Sequence, residues 1–172
     1  APLCLMLSLA GGEGAVAVVG YIIAHAVFLD SAKPRSRVLA VLPYLVIVVA
    51  WRIYYVSAGY GVSGAGWYLD VEAYPGRFIL ASLEALPVYL ATLLTLPLAN
   101  LSIFGASYKY GLIGTSIVTL LLLWPVFRPL LRQHATLRFA LLGAALSVIP
   151  LGATQIQDRL TPLAAVGTSA LL

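Results

Sequence analysis

The chain's 172 residues are 62% hydrophobic and 9% charged, with ten Lys and Arg against six Asp and Glu. A soluble domain carries about 25% charged residues, enough to coat the surface that folding leaves in water; this chain cannot coat it, so lipid must solvate much of the molecule. The formal charge of +4 falls in short basic clusters between apolar runs, which is membrane topology, and no basic stripe with interleaved aromatics marks a nucleic-acid face.

Residues 1–10 are apolar, 11–14 interrupt with Glu13 among glycines, and 15–29 are apolar again. With no basic stretch ahead of it and no clean small-x-small cleavage site behind it, the first run is not expected to be a signal peptide. Glu13 in the first turn of a second helix would meet unpaired backbone N–H groups and the positive dipole end, worth about 0.3–1 kcal/mol at an exposed end. Residues 30–37 are polar and carry Lys33, Arg35 and Arg37. The run 38–56 reads as a transmembrane helix, closed by the interfacial aromatics Trp51, Tyr54 and Tyr55 around Arg52.

Between 57 and 74, Gly59, Gly61, Gly64 and Gly66 alternate with Tyr60, Trp67, Tyr68 and Tyr74 around Asp70 and Glu72, a polar-aromatic loop. Residues 77–99 are long enough to cross a bilayer but carry Glu84, Pro87 and Pro97. A further span is expected over 112–127, with Trp124 near its end, then a basic loop of Arg128, Arg132, His134 and Arg138 before the apolar run 139–153. Small residues at Gly105–Ser107 and at Gly143, Ala144, Ala145 and Ser147 permit close helix approach. A polar break at 154–159 precedes an apolar tail, 162–172, too short for a hydrocarbon core of about 30 Å. With Ala-Pro in place of an initial Met, the expectation is a piece of a longer polytopic protein.

Cytoplasmic loops carry excess Lys and Arg, and that rule arbitrates the topology. If 77–99 spans, the ten cations split five to five between the two sides. If it does not, Lys33, Arg35, Arg37, Arg128, Arg132 and Arg138 fall together, while Asp70, Glu72, Glu84 and Asp158 fall on the other side. The expected fold is therefore an all-α polytopic transmembrane bundle of about five helices in a bacterial cytoplasmic membrane, with 77–99 interfacial or re-entrant. That placement spares Glu84 the roughly 2.5–3.5 kcal/mol of central burial.

Candidate chemistry is sparse. Cys4 is the only cysteine, which leaves no intrachain disulfide and no thiolate cage. His25, in an apolar helix, is the one residue to consider as a cofactor ligand, although a hydrogen-bonded core histidine is the commoner case. Tyr60, Trp67 and Tyr68 suit either stacking on a sugar or anchoring at headgroup level. Asp70, two residues from Glu72, is a loop acid able to bind a metal or act as a base; Arg52 is expected to snorkel or to pair with an acid such as Asp70. Glu84, an ionisable group inside an apolar run, is a functional hypothesis by default.

The residues Glu13, Tyr21, Phe28-Leu29-Asp30, Trp51-Arg52, Tyr55, Gly59-Tyr60-Gly61, Ser63-Gly64, Tyr68, Asp70 and Asp158-Arg159-Leu160, in that order, make the chain resemble the central part of bacterial polytopic proteins related to GT-C-type glycosyltransferases. The resemblance implies a helical body that shapes a lipid-linked donor site and an acceptor groove. The catalytic acid of that superfamily usually sits in a first extracytoplasmic loop near the N-terminal helix, and no residue of this sequence inherits that role. The competing expectation is a non-catalytic transmembrane subunit of a larger respiratory or photosynthetic complex, with membrane lipids and other subunits as partners.

Overall fold

The computed structural model describes residues 2–60, 69–94, 99–157 and 162–169. Among them lie seven α-helices: α1 (Pro2–Gly11), α2 (Val18–Phe28), α3 (Pro34–Ser57), α4 (Pro75–Leu94), α5 (Ala106–Gln133), α6 (Ala135–Val148) and α7 (Pro162–Ser169). Three 3-10 turns, Glu13–Ala17, Ala99–Phe104 and Ile149–Ala153, complete the set, and the first places Glu13 in an opening turn. Only α1 and α7 are as short as ten residues or fewer, which leaves five longer helices.

Proline is the first residue of α1, α3, α4 and α7, where its fixed φ suits the helix and its missing N–H is one that a first turn leaves unpaired anyway. The end of α3 is closed by paired bonds from Gly59 N–H to the Val56 carbonyl (3.0 Å) and from Tyr60 N–H to the Tyr55 carbonyl (3.1 Å). That closure needs a left-handed residue, supplied by Gly59 at φ 78°.

Among the described residues three segments are long and apolar enough to cross a membrane: Pro34–Ser57, Ala106–Gln133 and Ala135–Ala153. Their outward side chains include Leu42, Val46 and Val49 on α3 and Leu121 and Leu122 on α5, a surface that water penalises and lipid does not. The protein is an all-α, multi-pass membrane bundle. One expectation needs correcting: the basic segment 128–138 is helical rather than a loop. Helix α5 runs through Pro125 and Pro129 to Gln133, α6 begins at Ala135, and only His134 breaks the path. Long Arg stems let Arg128 and Arg132 stay on the helix while their charges reach headgroup level.

The two ends of the bundle differ in charge. Arg138 lies 5.3 Å over the Phe28 ring, which joins the end of α2 to the first turn of α6. Lys33, Arg35, Arg37, Arg128, Arg132 and Arg138 share this end with Asp30. Arg37 donates to the carbonyls of Ala32 (2.7 Å), Val27 (3.3 Å) and Ala26 (3.4 Å), a cation at the negative end of the α2 dipole. At the opposite end Leu69 N–H donates to the Ala153 carbonyl (2.7 Å), and Glu13, Asp70, Glu72 and Glu84 share that end with Arg52, Arg77 and Lys109.

Helices α2 and α6 make the most extensive contact among the described residues, and small residues permit it. A Cβ on Gly20 would come within 2.8 Å of Leu146 Cβ and of the Ser147 backbone nitrogen, and one on Gly143 within 2.3 Å of the Tyr21 ring. Helix α7 closes this junction: Gly167 N–H donates to Tyr21 Oη (2.8 Å), and the Tyr21 ring meets Phe139 edge-on. The other small-residue stretch does not behave this way, since a Cβ added at Gly105 or Gly111 would meet nothing within 4 Å and the residues between them are mostly exposed. A second core gathers Ala85, Val88 and Tyr89 of α4 with Leu112, Val148 and Ile156.

Among the described residues helix α4 is not one of the segments long and apolar enough to cross. Helix α5 starts beside its middle, because Lys109, the fourth residue of α5, pairs with Glu84, the tenth of α4. A hairpin that crossed from end to end would place that start beside the C terminus of α4. The first half of α4, the start of α5 and the turn Ile149–Ala153 instead gather at one end, as the charge distribution favours for a partly inserted segment.

Candidate functional site

A cleft of about 530 Å³ opens where these elements meet. Arg77, Leu80, Ala81 and Glu84 line one wall; their spacing of 0, 3, 4 and 7 residues puts them on one face of α4. Lys109 and Tyr110 come from α5, Ser102 from the 3-10 turn before it, and Gly152, Thr154, Gln155 and Ile156 from the chain after α6. Leu69 closes one side through its bond to Ala153.

Close packing shapes this floor. Ser82 Oγ lies against the Phe78 carbonyl (2.9 Å) and the Ile149 carbonyl (3.1 Å), and a Cβ on Gly152 would fall 2.0 Å from that same Oγ. Below, Tyr89 is fully buried and its Oη accepts from Gln157 N–H (3.0 Å), while Ser102 Oγ donates to the Ile156 carbonyl (2.9 Å). The segment after α6 is thereby tied to both α4 and the start of α5.

The electrostatic centre of the cleft is the ion pair between the Lys109 ammonium and the Glu84 carboxylate, whose side chains are 34% and 21% exposed. Partial burial makes each charge depend on the other, because a lone ion in an apolar setting costs several kcal/mol whereas a paired one is offset by its partner. Arg77, nearer the rim, stacks its guanidinium 5.7 Å from the Tyr74 ring centroid. Among the described residues Glu84 is the single carboxylate in the lining, against two cations.

The other expected residues divide between two places. Arg52 pairs with Glu72 (Nε to Oε1, 3.3 Å) and not with Asp70. Asp70 is spent locally: its Oδ1 accepts from the N–H groups of Glu72 (2.9 Å) and Ala73 (3.2 Å), an Asx turn that leaves the Glu72 side chain to reach Arg52. Tyr60 stacks on Tyr55 at 5.5 Å, and Tyr55 on Trp51 at 4.9 Å, a ladder that the Gly59 closure folds into place. Arg52, Tyr60 and Asp70 thus share the cleft's end of the molecule without lining it. Trp67 and Tyr68 lie outside the described residues.

His25 stands apart. It is exposed on α2 toward the basic end, edge-on to Phe139 at 6.3 Å, and among the described residues no cluster of three His, Cys, Asp or Glu side chains forms a metal site. Sequence reasoning missed Arg77, Lys109, Ser102 and Tyr110 as parts of one site. The available signal was Lys109, the one cation between Arg77 and Arg128. No protein-family model, curated protein or solved structure matches the chain.

Proposed function

We propose that this chain is the helical membrane body of a GT-C-like, glycosyltransferase-related protein that holds a lipid-linked donor in a bacterial cytoplasmic membrane. The observation that carries the reading is the cleft between α4 and α5, where a part-buried ion pair and several hydroxyl and amide groups stand beside apolar, outward-facing helix surface. A ligand with a polar head and a hydrocarbon tail matches both surfaces at once, and pockets of about 300–1,000 Å³ suit such a head. The excess of cations at the opposite end supports an orientation with that end in the cytoplasm and the cleft outside.

Purification from the native membrane in mild detergent, followed by mass spectrometry of the intact protein and of all that travels with it, tests the reading. A co-purifying polyprenyl-linked sugar phosphate is the expected result. Stoichiometric protein partners with no such lipid would overturn it in favour of a structural subunit, for which the peripheral position of α3, with no buried residue along its length, already offers a docking face.

A further inference from the structure

The charges of the cleft do not balance by themselves. Among the described residues Arg77 and Lys109 face a single carboxylate, Glu84, and the other polar side chains there are Ser102, Thr154, Gln155 and Tyr110, none of them a carboxylate. Glu84 and Lys109 belong to different helices, 25 residues apart, so the pair is formed by tertiary placement. A cation excess in a cleft beside lipid favours an anion. Ser102 and Thr154 spend their hydroxyl protons on the carbonyls of Ile156 and Leu151, so the seat is made by the guanidinium and ammonium groups, the usual recognition pair for a phosphate group, with Tyr110 and Gln155 beside them.

We infer that Glu84 is a built-in counter-anion, holding the Lys109 ammonium until the phosphate group of an incoming amphiphile displaces it, with Arg77 completing the phosphate seat. This rests on the reading of the cleft as a site for a lipid-linked ligand and adds the group recognised and the residue that competes with it. The rim supports a tailed ligand: Leu80 lines the cleft while 58% exposed, and Ile79 and Leu83 beside it are 59% and 61% exposed, so a chain leaving the seat runs directly onto apolar surface. In the empty cleft Glu84 keeps Lys109 neutralised. In the occupied cleft it loses that partner, and so it opposes binding.

Equilibrium binding of phosphatidic acid to the purified chain in phosphatidylcholine nanodiscs tests this, with inorganic pyrophosphate as competitor. Glu84→Gln is expected to bind phosphatidic acid about fivefold tighter, and Lys109→Gln and Arg77→Gln about fivefold weaker, the factor that a part-screened pair of charges is worth. Arg77→Gln leaves the α4–α5 ion pair whole, so its loss of affinity cannot be ascribed to misfolding. Competition by pyrophosphate assigns the seat to the phosphate group alone, and its absence to a tailed headgroup. Unchanged or weaker binding by Glu84→Gln together with unchanged binding by Arg77→Gln overturns the inference. If a lipid-linked sugar still co-purifies in that case, the proposed function stands without the counter-anion; if Glu84→Gln does bind tighter but no such lipid ever co-purifies, the counter-anion stands and the transferase reading falls.

Discussion

The α2–α6–α7 junction and the α4–α5 cleft are built from opposite materials. At the junction Gly20 admits the α6 backbone, Gly143 admits the Tyr21 ring, and Ala24, Ala140 and Ala144 are buried beside them; its main polar link is the bond from Gly167 to Tyr21. At the cleft, charged and hydroxyl groups converge around open volume. In lipid, where hydrocarbon is no worse a neighbour than leucine, helices associate through close packing and hydrogen bonds. The junction therefore holds the bundle together, and the cleft, which forgoes packing, is where a ligand finds room.

The largest expected effect breaks the junction. Gly20→Ala places a methyl group 2.8–2.9 Å from the Leu146 and Ser147 backbone and is expected to lower stability by about 2 kcal/mol, overpacking outweighing the gain in helix propensity. Gly111→Ala on α5, with nothing within 4 Å, keeps only the propensity gain and is expected to be neutral or stabilising by up to about 1 kcal/mol. Thermal unfolding of the two variants in one detergent reads the gap between them; equal midpoints would mean that close approach does not hold this bundle.

A smaller effect tests how α7 is attached. Tyr21→Phe keeps the ring against Phe139 but deletes the acceptor for Gly167 N–H, at a cost of about 1 kcal/mol. Hydrogen exchange should show faster exchange at Gly167 and its neighbours in α7, with α3 unchanged. A uniform increase across the molecule would show instead that α7 is part of a single cooperative unit.

The α6 side of the junction was legible in the sequence and the cleft was not, for a physical reason. Gly143, Ala144 and Ser147 recur on one side of an apolar run, a local pattern that close packing requires and that reading in order detects. The same signature at Gly105–Ser107 marks no close approach within this chain, because those residues open α5 at an exposed end. The extents of the spans follow from apolar length, yet α5 outruns its apolar stretch because Arg128 and Arg132 remain helical. The partner of Glu84 lies 25 residues away on another helix, and the competition for Arg52 turned on Asp70 closing its own turn; neither pairing has a local signature.

The smallest effects separate the two ion pairs. A double-mutant cycle with Glu84→Gln and Lys109→Gln is expected to give a coupling of about 1 kcal/mol, since the pair is part-buried and spans two helices. The Arg52–Glu72 pair has side chains 35% and 60% exposed, so Arg52→Gln should change stability by less than about 0.5 kcal/mol. Salt sharpens the contrast: at 1 M the screening length shrinks to about 3 Å, which removes most of the exposed pair's contribution while leaving more of the shielded one. Unfolding midpoints at low and high salt would therefore diverge between the two sets of variants. If both couplings fell together, the cleft pair would be as well solvated as a surface pair, and Glu84 would have little hold on Lys109 for a ligand to displace.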